Sequence, residues 1–122
     1  MQKIEAIIRP ERLQEVQDAL DVLGVSGLTV SEVVGCGRQK GYVESYRGSR
    51  ANISLVRKLK IESVVPEALV DDAVEAIVAA AATGEIGDGR VFVWPIEQTI
   101  RIRTGEHGED TLRHAVPEGW GH

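Results

Sequence analysis

The hydrophobic period of this chain changes twice in the same way, from an alternating strand pattern to a helical stripe. Residues 3–9 (KIEAIIR) alternate and are rich in isoleucine, which predicts a strand. Pro10 follows where helices often begin, and Leu13, Val16, Leu20 and Leu23 recur at spacings of three and four up to Gly24. Residues 58–65 (KLKIESVV) alternate again, and Pro66 opens a second stripe of Leu69, Val70, Ala73, Val74, Ile77, Val78 and Ala81 that runs to Gly84. Between these halves, residues 28–34 are β-branched and read as a strand closed by Gly35-Cys36-Gly37. Residues 91–94 predict a fourth strand and residues 99–103 (TIRIR) a short fifth one. The order β-α-β-β-α-β with a short extra strand is the split βαβ, ferredoxin-like arrangement of an α+β fold. Beyond Thr104 the chain is polar and Gly-containing and is expected to be mobile, with a tail at residues 111–122.

Strands two and three should form a hairpin, yet about 20 residues separate them, residues 37–57. Loops above about 12–15 residues are uncommon in compact domains unless they have a task. This loop is also where the charge sits. Seven of the 14 Lys and Arg residues lie between Arg38 and Lys60 with only Glu44 against them, so this window is +6 while the rest of the chain is −11. A basic island in an acidic protein suits a local anionic ligand or partner, although a solvated charged loop would look the same. The overall charge of −5 argues against general nucleic-acid binding.

Aromatics are only 4% of the 122 residues, so the core must be built from Val, Ile, Leu and Ala. The single cysteine, Cys36, excludes an intrachain disulfide framework and fits a reducing compartment. No basic segment precedes an apolar run, and residues 74–82, the longest Ala/Val-rich stretch, are too few to span a bilayer. A cytoplasmic protein without membrane insertion is expected.

Three segments could carry chemistry. Thr83-Gly84-Glu85-Ile86-Gly87-Asp88-Gly89-Arg90 has glycines that let backbone N–H groups converge on an anion, with Arg90 beside them. It lacks the Walker A spacing, and a helix-ending glycine followed by an Asp-Gly turn would give the same string. Arg101-Ile102-Arg103 on a strand would put two guanidinium groups on one face, suited to a polyphosphate or simply to solvent. Gly35-Cys36-Gly37-Arg38-Gln39-Lys40-Gly41 has glycines and cations but not GxGxxG, and it lies between strands. No nucleophile–base pair or carboxylate dyad is visible. His107, His114 and His122 are spaced by seven and eight, which is not a zinc pattern, and Cys36 reads first as a small hydrophobe.

Taken together these segments resemble the PII signal-transduction family. The likeness rests on KIEAIIRP at residues 3–10, TVSEVV at 29–34, GCGRQKG at 35–41, YRG at 46–48, KLKIE at 58–62, TGEIGDGRVFV at 83–93 and RIRTGE at 101–106. It implies a homotrimer with ATP or ADP bound in clefts between subunits. By position, Gly87, Asp88, Gly89 and Arg90 resemble the phosphate-holding loop, and Arg101 and Arg103 the arginines that grip the phosphates from across the cleft. Thr29, Glu62 and Val64 resemble the adenine end, and Gly35, Cys36, Gly37 and Arg38 the inner wall. The resemblance also implies 2-oxoglutarate beside a Mg²⁺ held by the ATP phosphates and Gln39, with Lys40, Gly41 and Lys58 as the carboxylate grip. Tyr46 and Arg47 resemble the loop residues that dock on an ammonium channel or a metabolic enzyme.

The departures are informative. Cys36 stands where the family usually has Phe, Arg90 where it has Lys, and Glu11 where a Phe docks N-acetylglutamate kinase. Ala51 replaces the tyrosine that many members modify, and residues 52–56 depart from the usual pattern. Ser49, in an Arg-Gly-Ser context, resembles the phosphorylated serine of the cyanobacterial branch. The implied function is a nitrogen, or carbon and nitrogen, regulator that senses ATP, ADP and 2-oxoglutarate and controls a transporter or enzyme through its loop. The alternative is a trimeric ATP-hydrolysing or phosphoryl-transfer enzyme using Lys40 and Lys58, which turnover in the range of about 1–10³ s⁻¹ would reveal.

Overall fold

The computed structural model describes residues 1–25, 27–38 and 53–112, with backbone alone at 36–38 and 53–54. Four strands, β1 (Gln2–Ile8), β2 (Thr29–Arg38), β3 (Ile53–Val65) and β4 (Arg90–Pro95), form one antiparallel sheet in the order β2-β3-β1-β4. Two helices, α1 (Leu13–Val22) and α2 (Val70–Ala81), follow β1 and β3. This is the α+β arrangement expected from the two changes of period.

Register explains which side the helices take. Ile4, Ala6 and Ile8 on β1 stand beside Ser63, Ile61 and Leu59 on β3, all on one face. These isoleucines and Leu59, with Ala6, are buried against Val16 and Leu20 of α1 and Ala73, Ile77 and Ala81 of α2. Each large aliphatic side chain so buried contributes about 1.5–3 kcal/mol. The opposite face carries Lys3, Glu5 and Ile7 of β1, Lys58, Lys60, Glu62 and Val64 of β3, and Phe92 and Trp94 of β4. No helix packs on it among the described residues.

Helix ends follow local chemistry. Pro10 begins a 3-10 turn (Pro10–Arg12) ahead of α1, and a like turn (Glu67–Leu69) precedes α2, with Pro66 just outside it. Gly24 takes φ +82 and closes α1: its N–H donates to Asp21 O at 2.9 Å, and Val25 N–H donates to Leu20 O at 3.0 Å. This pair of bonds, with buried Val25 behind it, is a Schellman cap. Arg12 donates twice to Ala80 O, at 2.9 and 2.7 Å, and so satisfies a terminal carbonyl of α2.

Three expectations are corrected. The hairpin does not stop at Gly35-Cys36-Gly37, because pairing runs on to Arg38 opposite Ile53 and the connection shrinks to residues 39–52. Gly35 faces Val56 in an ordinary extended conformation, and the surrounding Val33, Val34, Leu55 and Val56 carry the strand propensity past the glycines. Residues 99–103 do not form a strand. Ile100 bridges His107 instead, Arg101 N–H donates to Glu106 O at 2.8 Å, and the chain turns at Gly105 with φ +76. Alternation alone cannot make a strand when the backbone groups find partners inside their own turn. The chain continues from that turn into a 3-10 turn (Glu109–Leu112). Finally, α2 ends at Ala81, with extended Ala82 as its cap, and Gly84 belongs to the loop beyond.

Candidate functional site

The loop at residues 83–90 is built around one carboxylate. Asp88 Oδ2 accepts the backbone N–H of Thr83 at 2.8 Å and of Gly84 at 2.9 Å, and Oδ1 accepts Thr83 Oγ1–H at 2.5 Å. The same Oδ1 accepts Arg9 Nε–H at 2.8 Å, and Arg9 Nη2 donates to Ile86 O at 2.9 Å. Arg9 therefore ties both limbs of the loop to the end of β1. Gly87 and Gly89 both hold φ near +102, the left-handed region that glycine enters without penalty.

Lys58 reaches the same place from the middle of β3, where its ammonium donates to Gly87 O. A Cβ on Gly87 would lie 3.3 Å from Arg9 Nη2 and 3.7 Å from Lys58 Nζ. Two cations thus converge on one glycine at the tip of the loop. Burial lowers the Lys58 pKa, and the neighbouring Arg9 charge lowers it further. The Arg9 pKa is raised, chiefly by its hydrogen bond to Asp88.

Asp88 titrates well below the ordinary carboxylate range, held there first by the Thr83 hydroxyl, then by Arg9 and the backbone N–H groups. A depressed folded-state pKa means stability that is present above the unfolded carboxylate value, about 3.9, and lost as pH falls through the folded one. The Thr83 and Gly84 amide protons should therefore stay protected through pH 4 and open only at lower pH. Amide exchange followed against pH tests this; opening with a midpoint near the unfolded value would show an unpaired carboxylate.

At the far end of the sheet, Thr29 and Glu62 are direct neighbours in the β2–β3 ladder, and Val64 lies two residues on. Glu62 pairs with Lys3 at 3.0 Å and Lys60 at 3.5 Å, and the Lys3 hydrogen bond is the main cause of its lowered pKa. Lys3 also lies 5.4 Å from the Trp94 ring centroid, within cation–π range. Four residues along β3, about 13 Å, separate Glu62 from Lys58.

Arg101 and Arg103 sit in a turn rather than side by side on a strand. Arg101 pairs with Glu106 at 2.7 Å and donates to Asp110 O at 3.3 Å, whereas Arg103 is exposed. Glu106 is held low by the Thr104 hydroxyl and by the Arg101 charge. Gly35, Cys36, Gly37 and Arg38 are placed by backbone pairing in the hairpin arm. Gln39, Lys40, Gly41, Tyr46, Arg47, Ser49 and Ala51, and the tail from residue 113, lie outside the described residues. The structure thus brings Lys58 to the glycine loop and Thr29 to Glu62. It adds Arg9 and Thr83, which the sequence left unassigned. The one signal for Arg9 was a charged residue at the end of an apolar central strand, ahead of a proline.

A family model described as Nitrogen regulatory protein P-II matches residues 1–106. The chain belongs to the P-II family. Curated relatives named nitrogen regulatory protein P-II agree: that of Rhodobacter capsulatus is 56% identical, that of Nostoc punctiforme 55% and that of Haemophilus influenzae 51%. Each alignment runs over 112 residues, 92% of this chain and 100% of the relative. P-II proteins regulate partners in nitrogen metabolism, so this chain is a signalling regulator and not an enzyme. The phosphoryl-transfer alternative falls with that. Among the described residues no helix is long and apolar enough to cross a membrane.

Proposed function

We propose that this P-II regulator binds ATP or ADP at the 83–90 loop and a small dicarboxylate, 2-oxoglutarate, beside it, and reports their occupancy through residues 39–52. The observation that carries this reading is the meeting of Lys58 with Gly87, two residues 29 positions apart that the resemblance assigns to adjoining effectors. The loop offers left-handed glycines and the nearby Arg90 for phosphate, and the Arg9–Lys58 pair offers cations for a carboxylate. Mg²⁺ suits such a site, because it takes most of its ligands from phosphate oxygens and water, with Gln39 completing the set. Thr29, Glu62 and Val64 form the adenine end, and Gly35–Arg38 the wall.

The nucleotide then lies in a cleft between subunits, as the resemblance implies. The uncovered sheet face supports a homotrimer: Phe92 and Trp94 on it are 44% and 38% exposed, beside Ile7 and Val64. In that assembly Arg101 and Arg103 act from across the cleft, Arg101 exchanging Glu106 for phosphate. Residues 39–52, with Tyr46 and Arg47, dock on an ammonium channel or metabolic enzyme in the cytoplasm. Ser49 is the position open to phosphorylation, since Ala51 has no hydroxyl to modify.

Arg103→Ala should cost about 1.5–3 kcal/mol of ATP binding, the value of a charge-assisted hydrogen bond. Calorimetric titration of ATP into wild type and variant measures it. Equal affinities would remove Arg103 from the site.

A further inference from the structure

Arg101 and Arg103 read alike in the sequence, two arginines around one isoleucine, but the fold treats them differently. Arg103 is exposed. The Arg101 side chain is 20% exposed and that of its partner Glu106 53%, so the carboxylate stands on the solvent side of the pair. Glu106 Oε1 accepts Arg101 Nη1–H at 2.7 Å, and Arg101 Nη2 donates to Asp110 O at 3.3 Å. The same Oε1 accepts the Thr104 hydroxyl at 2.8 Å, and Thr104 Oγ1 accepts the Glu106 backbone N–H at 3.2 Å. The main chain closes around them, with Arg101 N–H on Glu106 O at 2.8 Å and Gly105 N–H on Arg101 O at 2.7 Å. The turn thus fixes a carboxylate on its own guanidinium. That carboxylate stays charged, because the Thr104 hydroxyl and the Arg101 charge both lower its pKa.

We propose that Glu106 is an internal competitor of the nucleotide, a carboxylate that occupies the Arg101 guanidinium in place of a phosphate oxygen, with Thr104 as the catch that holds it there. This rests on the functional reading above, which gives Arg101 to the phosphates. Carboxylate and phosphate oxygens meet a guanidinium fork in the same way, so one excludes the other. Nucleotide then binds in two stages: Arg103 offers its charge at once, and Arg101 only after Glu106 has left. Breaking the pair subtracts from the binding free energy, so the site holds ATP less tightly than its two arginines alone would. A support that merely aimed Arg101 at the phosphates would act with the opposite sign.

Charge and catch can be removed separately. Glu106→Gln keeps the shape and removes the charge. Thr104→Val leaves every charge in place and removes the hydroxyl. Calorimetric titration of ATP gives the affinity of each variant and of wild type, with circular dichroism to confirm the fold. Glu106→Gln is expected to bind ATP about fivefold more tightly, the upper value of an exposed ion pair, and Thr104→Val about twofold more tightly. Thr104→Ser, which keeps the hydroxyl, should bind like wild type. In an Arg101→Ala background, Thr104→Val should change nothing, since the catch then has no pair to hold. Unchanged or weaker ATP binding in Glu106→Gln would overturn the competitor role, the weaker result making Glu106 a support for Arg101. Tighter binding in Glu106→Gln with wild-type affinity in Thr104→Val would also overturn it, by reducing Glu106 to a nearby charge that repels phosphate. An Arg101→Ala protein that binds ATP like wild type, or a wild-type protein that does not bind ATP, overturns the functional reading itself, and this inference with it.

Discussion

Gly89→Ala is expected to abolish nucleotide binding while leaving the sheet and helices folded. A Cβ at this position would lie 1.8 Å from Ile7 O and 2.8 Å from Ile7 C, both backbone atoms. Ile7 cannot yield, because β1 is an interior strand, bonded to β3 on one side and to β4 on the other. The φ of +102 adds a strain of about 1–3 kcal/mol for any other residue. The loop must therefore lift off the end of β1, and Gly87 leaves Lys58 as it goes. A loss of at least about 3 kcal/mol from the bound state is more than a hundredfold in affinity. Gly84→Ala is the matched control. Its φ of +88 carries the same kind of strain, but nothing lies within 4 Å of its Cβ, so a smaller loss is expected. ATP titration of both variants, with circular dichroism to confirm the fold, measures the difference. A Gly89→Ala protein that binds ATP like wild type would place the nucleotide elsewhere.

Much of this architecture is legible in the residues themselves. The two changes of period place β1, α1, β3 and α2, because each side chain on those elements has a single face to bury. Pro10 and Gly24 mark the ends of the first helical segment through chemistry that acts within one turn. What depends on partners distant in sequence is not legible. The hairpin arm beyond Val34 is masked by glycines and charges, yet it pairs because β3 supplies a continuous ladder opposite it. Residues 99–103 show the converse: they alternate well, but Glu106 and His107 offer their backbone first.

The site divides in the same way. The glycine loop and Lys58 are visible as motifs, whereas their contact across 29 residues is a property of the fold. Asp88 is harder still. An acid among glycines reads alike whether it faces a ligand or its own backbone, and only the bonds to Thr83, Gly84 and Arg9 show that it faces inward.

The central proposal is that the two effectors bind side by side at the 83–90 loop, and it predicts that 2-oxoglutarate binds only when Mg-ATP is present. Without nucleotide, the Lys58 ammonium is already donated to Gly87 O, so an incoming carboxylate must displace a hydrogen bond to gain one. An exposed ion pair gained in exchange is worth about 0–1 kcal/mol, too little to hold a small flexible ligand. In the proposed reading, a metal on the ATP phosphates would supply the added attraction, with Arg9 and Lys58 both at Gly87 beside it. Calorimetric titration of 2-oxoglutarate into nucleotide-free protein, and then into protein saturated with Mg-ATP, tests this directly. The account predicts no saturable heat in the first titration and a saturable isotherm in the second, and equal affinity in the two would contradict it.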